Sequence, residues 1–187
     1  MSEFRELLLG AGHRRNKDII TVNGREFRNL TTLDYYEASD ADVQFDLCTL
    51  NPRERGHLPF DDNTFDELHA YDVLEHIHQQ GDFESFFYEF GEYWRVLKPG
   101  GLLCATVPAA NIHVWGDPGH RRVINGLTLV YLCREKVMEQ LGKTTITDYL
   151  RYLGDTNYQL VFQTPDLDDR GQPHDRFGFV LQAVKPA

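Results

Sequence analysis

Residues 94–108 read Trp94-Arg95-Val96-Leu97-Lys98-Pro99-Gly100-Gly101-Leu102-Leu103-Cys104-Ala105-Thr106-Val107-Pro108. The stretch holds the end of one element, a stop and the start of another. Upstream of it, Phe83, Phe86, Phe87, Phe90, Tyr93, Trp94 and Leu97 recur at spacings of three and four. That period predicts a helix over Asp82–Leu97, capped by Asp82 and ended by Lys98-Pro99-Gly100-Gly101. Downstream, the apolar run Gly101–Val107 predicts a strand.

The same alternation of apolar runs with helical periods continues on either side and argues for an α/β sheet. Further strands are predicted at Phe4–Leu9, Leu30–Asp34, Val43–Leu47, Phe65–Tyr71, Tyr158–Thr164 and Phe177–Lys185, and a second helix at Leu127–Leu141. The last two strands enclose the polar loop Pro165–Arg176, which suits an antiparallel hairpin. Between Gly12 and the second strand no proper helix is expected. There Asn23-Gly24 fits either a tight hairpin turn or an irregular surface loop. No linker divides the chain, so one domain over residues 1–187 is expected.

The 187 residues carry Lys+Arg 19 against Asp+Glu 29, a net charge of −10. Such a field repels polyanions, which disfavours binding to nucleic acid or to an anionic membrane. Hydrophobic residues at 41% and a mean hydropathy of −0.46 fit a globular chain, and no apolar stretch reaches the length of a membrane span. Cys48, Cys104 and Cys133 are odd in number and far apart, as expected of reduced thiols, and the N-terminus lacks the pattern of a signal peptide. A cytoplasmic location is therefore expected.

Leu7-Leu8-Leu9-Gly10-Ala11-Gly12 is a buried strand breaking into a turn whose glycines let backbone approach a ligand. Arg15 stands where a dinucleotide fingerprint needs its third glycine, so a nicotinamide or flavin dinucleotide is a poor fit. Asp34 closes the second strand, where a carboxylate either accepts the hydroxyls of a ribose or is merely solvated.

Three blocks lie in order along the chain: Leu58-Pro59-Phe60-Asp61-Asp62-Asn63-Thr64-Phe65-Asp66, then Tyr71-Asp72-Val73-Leu74-Glu75-His76-Ile77, then residues 94–108. From Leu7 to about Leu132 the sequence resembles a class I S-adenosylmethionine-dependent methyltransferase of the type 11 branch, in its short form. The resemblance implies a Rossmann-like, doubly wound, seven-stranded, mostly parallel sheet with the last strand antiparallel. It also implies S-adenosyl-L-methionine as cofactor. Carried onto this chain, Gly10, Ala11 and Gly12 lie under the methionine part and Asp34 holds the ribose. Asp46 and Leu47 meet the adenine, and Asp72, Val73 and Leu74 line the sulfonium side. A sulfonium is a cation, so carboxylates and aromatic faces suit it, and Asp34, Asp46, Asp72, Tyr35 and Tyr71 supply those types. Leu8 and Arg14 depart from the family's pattern, standing where it has an acidic residue and a third glycine.

His76, oriented by Glu75, is a candidate base; the bland alternative is a histidine bonded to Glu75 or to backbone. His120 is a second candidate. His76 and His78 alternate on the chain and cannot face one another, so no metal is expected. The segment Asn111–Arg122 follows the fifth strand and is read as a substrate loop through His113 and Trp115, or as a structural turn held by Asp117-Pro118. His13-Arg14-Arg15 and His120-Arg121-Arg122 both follow parallel strands, so Arg15 and Arg121 either form a basic pocket for an anionic substrate or balance surface acids.

Methyl transfer to an oxygen or nitrogen of an anionic small molecule or glycan precursor is thus expected. The alternative is a degenerate module that keeps the fold without catalysis. An oligomer or a partner chain could cover the active site, since covering helices before the first strand are missing.

Overall fold

The computed structural model describes residues 3–165 and 174–186 and, at Ile112 and His113, the backbone alone. The strands are β1 (Glu6–Leu9), β2 (Leu30–Asp34), β3 (Val43–Gln44), β4 (Phe65–Tyr71), β5 (Leu97–Pro108), β6 (Tyr158–Gln163) and β7 (Arg176–Ala183). They form one sheet in the doubly wound order β3-β2-β1-β4-β5-β7-β6. Every pair from β3 to β5 is parallel, while β7 runs antiparallel to both β5 and β6. This is the predicted α/β sheet with its reversed last strand. Of the predicted loop between β6 and β7, residues 166–173 lie outside the described residues.

Helix α1 (Phe83–Val96) occupies the predicted span, with the Asp82 side chain accepting from the Ser85 N–H. It buries Phe87, Phe90, Tyr93 and Val96 against the sheet, each side chain contributing about 1.5–3 kcal/mol. The second predicted helix is instead two, α2 (Gly126–Val130) and α3 (Arg134–Gln140), followed by a turn of helix α4 (Leu150–Leu153). The break has a tertiary cause. Asn157 accepts from the Arg134 N–H and Tyr158 donates to the Leu132 carbonyl, so entry into β6 pulls Cys133 into an extended conformation. Strand β3 ends two residues after it begins, because Asp46 caps a 3-10 turn over Leu47–Thr49. Strand β5 starts earlier than predicted, with Leu97 already paired to Phe65.

The two faces of the sheet are covered differently. Leu7, Leu9, Leu68, Leu103 and Phe179 pack with α1 and the later helices in the main core. On the opposite face the chain from Gly10 to Asn29 takes the place of a helix. It is an irregular loop with a single antiparallel bridge, Thr21 to Gly24, so the hairpin is not formed. This loop drops Lys17 onto the sheet, where its Nζ lies 2.5 Å from Glu6 and 3.2 Å from Glu67, all three side chains being fully buried. His69 bridges the two carboxylates at 3.2 Å each, and Thr21 and Asn23 donate to Glu67. Burial pushes the Glu67 carboxyl up, but hydrogen bonds from His69, Thr21 and Asn23 outweigh it and hold it well below the usual range.

Candidate active site

The carboxyl ends of β1, β2 and β4 open onto a cleft of about 510 Å³, within the range of small-molecule sites. Its floor depends on one residue without a side chain. Gly10 ends β1 at φ +56°, and a Cβ there would lie 2.4 Å from Val73 Cγ2, so only glycine lets the ends of β1 and β4 approach this closely.

Asp34 is 7% exposed and its carboxylate is aimed by backbone. Gly12 N–H donates to Oδ2 at 2.7 Å and Tyr36 N–H to Oδ1 at 2.9 Å. Each oxygen keeps a lone pair for a ligand hydroxyl. Gly10, Asp34, Tyr35, Asp46, Leu47, Asp72 and Val73 all line the cleft, together with Phe45, Cys48, His76, Ile77, Gly119 and Arg121. The fold thus brings to one place most of the residues named for the cofactor.

Other residues named from the sequence lie elsewhere. Ala11 is 1% exposed and packs with Leu8 and Tyr71 on the far face of the sheet. Tyr71 spends its hydroxyl on His69 at 2.8 Å and offers no face to the cleft. Leu74 is in the main core. Gly12 acts through its N–H on Asp34 rather than by lining the cleft. Asp72 lines it, yet its carboxylate is held by Arg176 (Nε to Oδ1, 3.1 Å) and Arg14 (3.5 Å), so its charge is largely answered within the protein.

Glu75, His76 and His120 converge at the edge of the cleft although 44 residues separate the two histidines. The rings of His76 and His120 meet edge to face at 4.9 Å. Glu75 does not orient His76 by a hydrogen bond: His76 Nδ1 lies 3.0 Å from the Gly119 carbonyl oxygen, while Glu75 Oε1 lies 4.0 Å from His120 Nε2. Glu75 is 2% exposed, its Oε2 has no hydrogen-bond partner among the described residues, and burial pushes its carboxyl up. His78 faces away and bonds the Leu50 carbonyl oxygen.

The segment after β5 is a 3-10 helix, Ile112–Gly116, followed by a turn. Asp117 accepts from the Gly119 N–H at 2.7 Å and from the His120 N–H through its carbonyl. Trp115 is 55% exposed and does not line the cleft, and the side chain of His113 lies outside the described residues. The arginines divide in the same way. Arg122 is buried on Glu89 and Arg14 pairs with Asp18. Arg15 bonds the backbone carbonyls of Gly12 and Arg14, away from the cleft lining. Arg121 alone of these lines the cleft.

The model of a methyltransferase domain matches residues 7–105, more than half of the chain. The chain belongs to the methyltransferase-domain family. The S-adenosylmethionine-dependent methyltransferase of Archaeoglobus fulgidus has a similar structure, with a TM-score of 0.58 at 13% identity over 96% of this chain and 86% of that one. A Mesorhizobium loti S-adenosylmethionine-dependent methyltransferase gives 0.50 at 16% identity over 96% and 91%. The complex between the Haloferax volcanii Trm112 methyltransferase activator and a methyltransferase gives 0.52 at 14% identity over 99% and 84%. Curated proteins yield no match. As a methyltransferase-domain protein the chain is a class I S-adenosylmethionine-dependent type, and the observed sheet is that of its fold. No helix among the described residues is long and apolar enough to cross a membrane.

Sequence reading missed Cys48, Gly119 and the meeting of His76 with His120. Gly119 had a signal in Asp117-Pro118-Gly119-His120, a turn able to carry a histidine back to the sheet edge.

Proposed function

We propose that this methyltransferase-domain protein moves a methyl group from S-adenosylmethionine to an oxygen or nitrogen of an anionic small molecule, such as a phosphate- or carboxylate-bearing metabolite or glycan precursor. The observation that carries the reading is the backbone-aimed Asp34 carboxylate facing a cleft floored by Gly10. When bound, the cofactor supplies a methyl group on a positively charged sulfur.

The chain's own residues do the rest. Asp34 accepts the two ribose hydroxyls, Asp46 and Leu47 take the adenine edge, and Gly10 with Val73 leaves room beneath the methionine part. His76, which lines the cleft, meets the acceptor atom, with His120 and the buried Glu75 packed behind it. Arg121 supplies the positive charge that draws an anion into an otherwise acidic molecule. Holding donor and acceptor in line provides most of the rate. A partner chain belongs to this reading, because the face opposite the helices leaves Val22, Ile20 and Phe162 exposed and one structural neighbour is a complex with a methyltransferase activator.

Titration calorimetry with S-adenosylmethionine and with its demethylated product tests the binding half. The Asp34→Ala variant should weaken both at least tenfold, the cost of losing hydrogen bonds to a charged acceptor. Equal affinity in wild type and variant would remove the assignment. Binding without turnover across a panel of phosphate- and carboxylate-bearing metabolites would identify a module that binds without catalysis.

A further inference from the structure

We propose that Glu75, His76 and His120 form a binding site for a divalent transition-metal ion of the zinc class, set in the wall of the cleft. Donor atoms of the three side chains lie within 4.8 Å of one another. Ligands of a tetrahedral zinc ion at 2.0–2.1 Å stand about 3.3 Å apart, so rotamer adjustments that shorten the separations by up to about 1.5 Å close the set. Two imidazoles and a carboxylate are a donor set that selects such ions over magnesium or calcium.

Two independent features point to a ligand here. The first is the orphaned oxygen. Glu75 is 2% exposed, yet its Oε2 has no hydrogen-bond partner among the described residues. The arginines that follow His120 do not answer it: Arg122 directs its guanidinium to Leu74 and Glu89, and the backbone N–H groups of Arg121 and Arg122 reach only the Glu75 carbonyl oxygen. The second is how the imidazoles are held. His76 donates Nδ1–H to the Gly119 carbonyl and His120 donates Nδ1–H to the Val114 carbonyl. Each ring is thereby fixed in the tautomer that leaves Nε2 with a free lone pair, the support that metal-ligating histidines characteristically receive from main-chain carbonyls. His120 Nε2 also lies 3.8 Å from Asp117 Oδ2, which gives the rim of the site a second carboxylate. Among the described residues the other grouping of this kind, Glu6, Glu67 and His69, already holds the Lys17 ammonium and has no need of an ion.

Three protein ligands leave an open coordination position, as catalytic rather than structural sites do. His76 and Gly119 line the cleft, so that position opens toward the acceptor. The role of the ion, taking an acceptor oxygen as its further ligand, rests on the methyl-transfer reading; the binding of the ion does not.

The experiment titrates chelator-treated full-length protein with Zn2+ by calorimetry and with Co2+ by visible absorption. Expected are one equivalent of Zn2+ and Co2+ bands of four- or five-coordinate intensity. Glu75→Gln and His120→Ala should each weaken binding by tenfold or more, while His13→Ala, an exposed histidine outside the cluster, should leave it unchanged. Circular dichroism confirms that each variant is folded. Binding that is absent, or that survives both Glu75→Gln and His120→Ala, overturns the site. S-adenosylmethionine affinity is measured on the same metal-free samples: intact cofactor binding with no ion site sinks this inference alone, whereas loss of cofactor binding with the ion retained sinks the proposed function alone.

Discussion

Gly10 carries two separate demands, and a single methyl group tests both. Its φ of +56° disfavours any side chain, and the Cβ would stand 2.4 Å from Val73 Cγ2. Gly10→Ala should cost about 2 kcal/mol of stability by urea denaturation, in the range of a strained left-handed residue, and should weaken cofactor binding. Adding Val73→Ala removes the 2.4 Å contact with Cγ2 but leaves the residue-73 Cβ at 2.8 Å and the backbone strain, so the double variant should recover only part of the loss. Full recovery would show that φ at Gly10 carries no cost. A strand breaking into Gly-x-Gly and an Asp closing the next strand are weak signals by themselves; Gly10 and Asp34 were legible through the company of the blocks at 58–66, 71–77 and 94–108. His120 was not. Only folding of the Asp117–His120 turn brings it beside His76, and no local period encodes a contact between residues 44 positions apart.

At the scale of elements, the loop from Gly10 to Asn29 does by ion pairing what a helix would do by apolar packing. Lys17 is its anchor, with Glu6 and Glu67 fully buried beneath it. Lys17→Met keeps the length and loses the charge, leaving two carboxylates in a dry site. The expected loss is about 3–5 kcal/mol, measured as a lower urea midpoint with an unchanged slope. The sign of the pH dependence follows from the same group. Glu67 has a folded pKa held below its unfolded value, so its contribution is complete above the ordinary carboxylate range and is lost as pH falls below it. Wild type should therefore lose stability from about pH 5 downward, and a wild type as stable at pH 3 as at pH 7 would contradict the network. The sequence announced the absence of a helix here but not the anchor, because a lone lysine in a polar loop reads as solvated. Helix α1, by contrast, was legible to within a residue, since its aromatic period, cap and stop all agree. The Leu127–Leu141 period failed because Asn157 and Tyr158, distant in sequence, hydrogen-bond into its middle.

For the whole molecule, the net charge of −10 and the cleft's Arg121 act on an anionic acceptor with opposite signs and different reach. The global field extends tens of ångströms at 0.01 M ionic strength, where the screening length is about 30 Å, and collapses at 0.15 M, where it is about 8 Å. A guanidinium in contact with its ligand is some 4 Å away and loses much less to salt. Repulsion is thus screened more than attraction, and binding of an anion should strengthen with salt, the reverse of the usual trend for a cationic site. Inorganic phosphate titrated into the protein, followed by phosphorus resonance line width, should bind roughly threefold tighter at 0.15 M than at 0.01 M. Arg121→Ala should abolish binding at both salt concentrations, while Arg15→Ala, whose side chain is spent on the backbone outside the cleft, should change neither. Affinity that falls as salt rises would mean that the cleft is shielded from the molecule's net field, and affinity indifferent to Arg121 would leave an anionic acceptor without a recognition element.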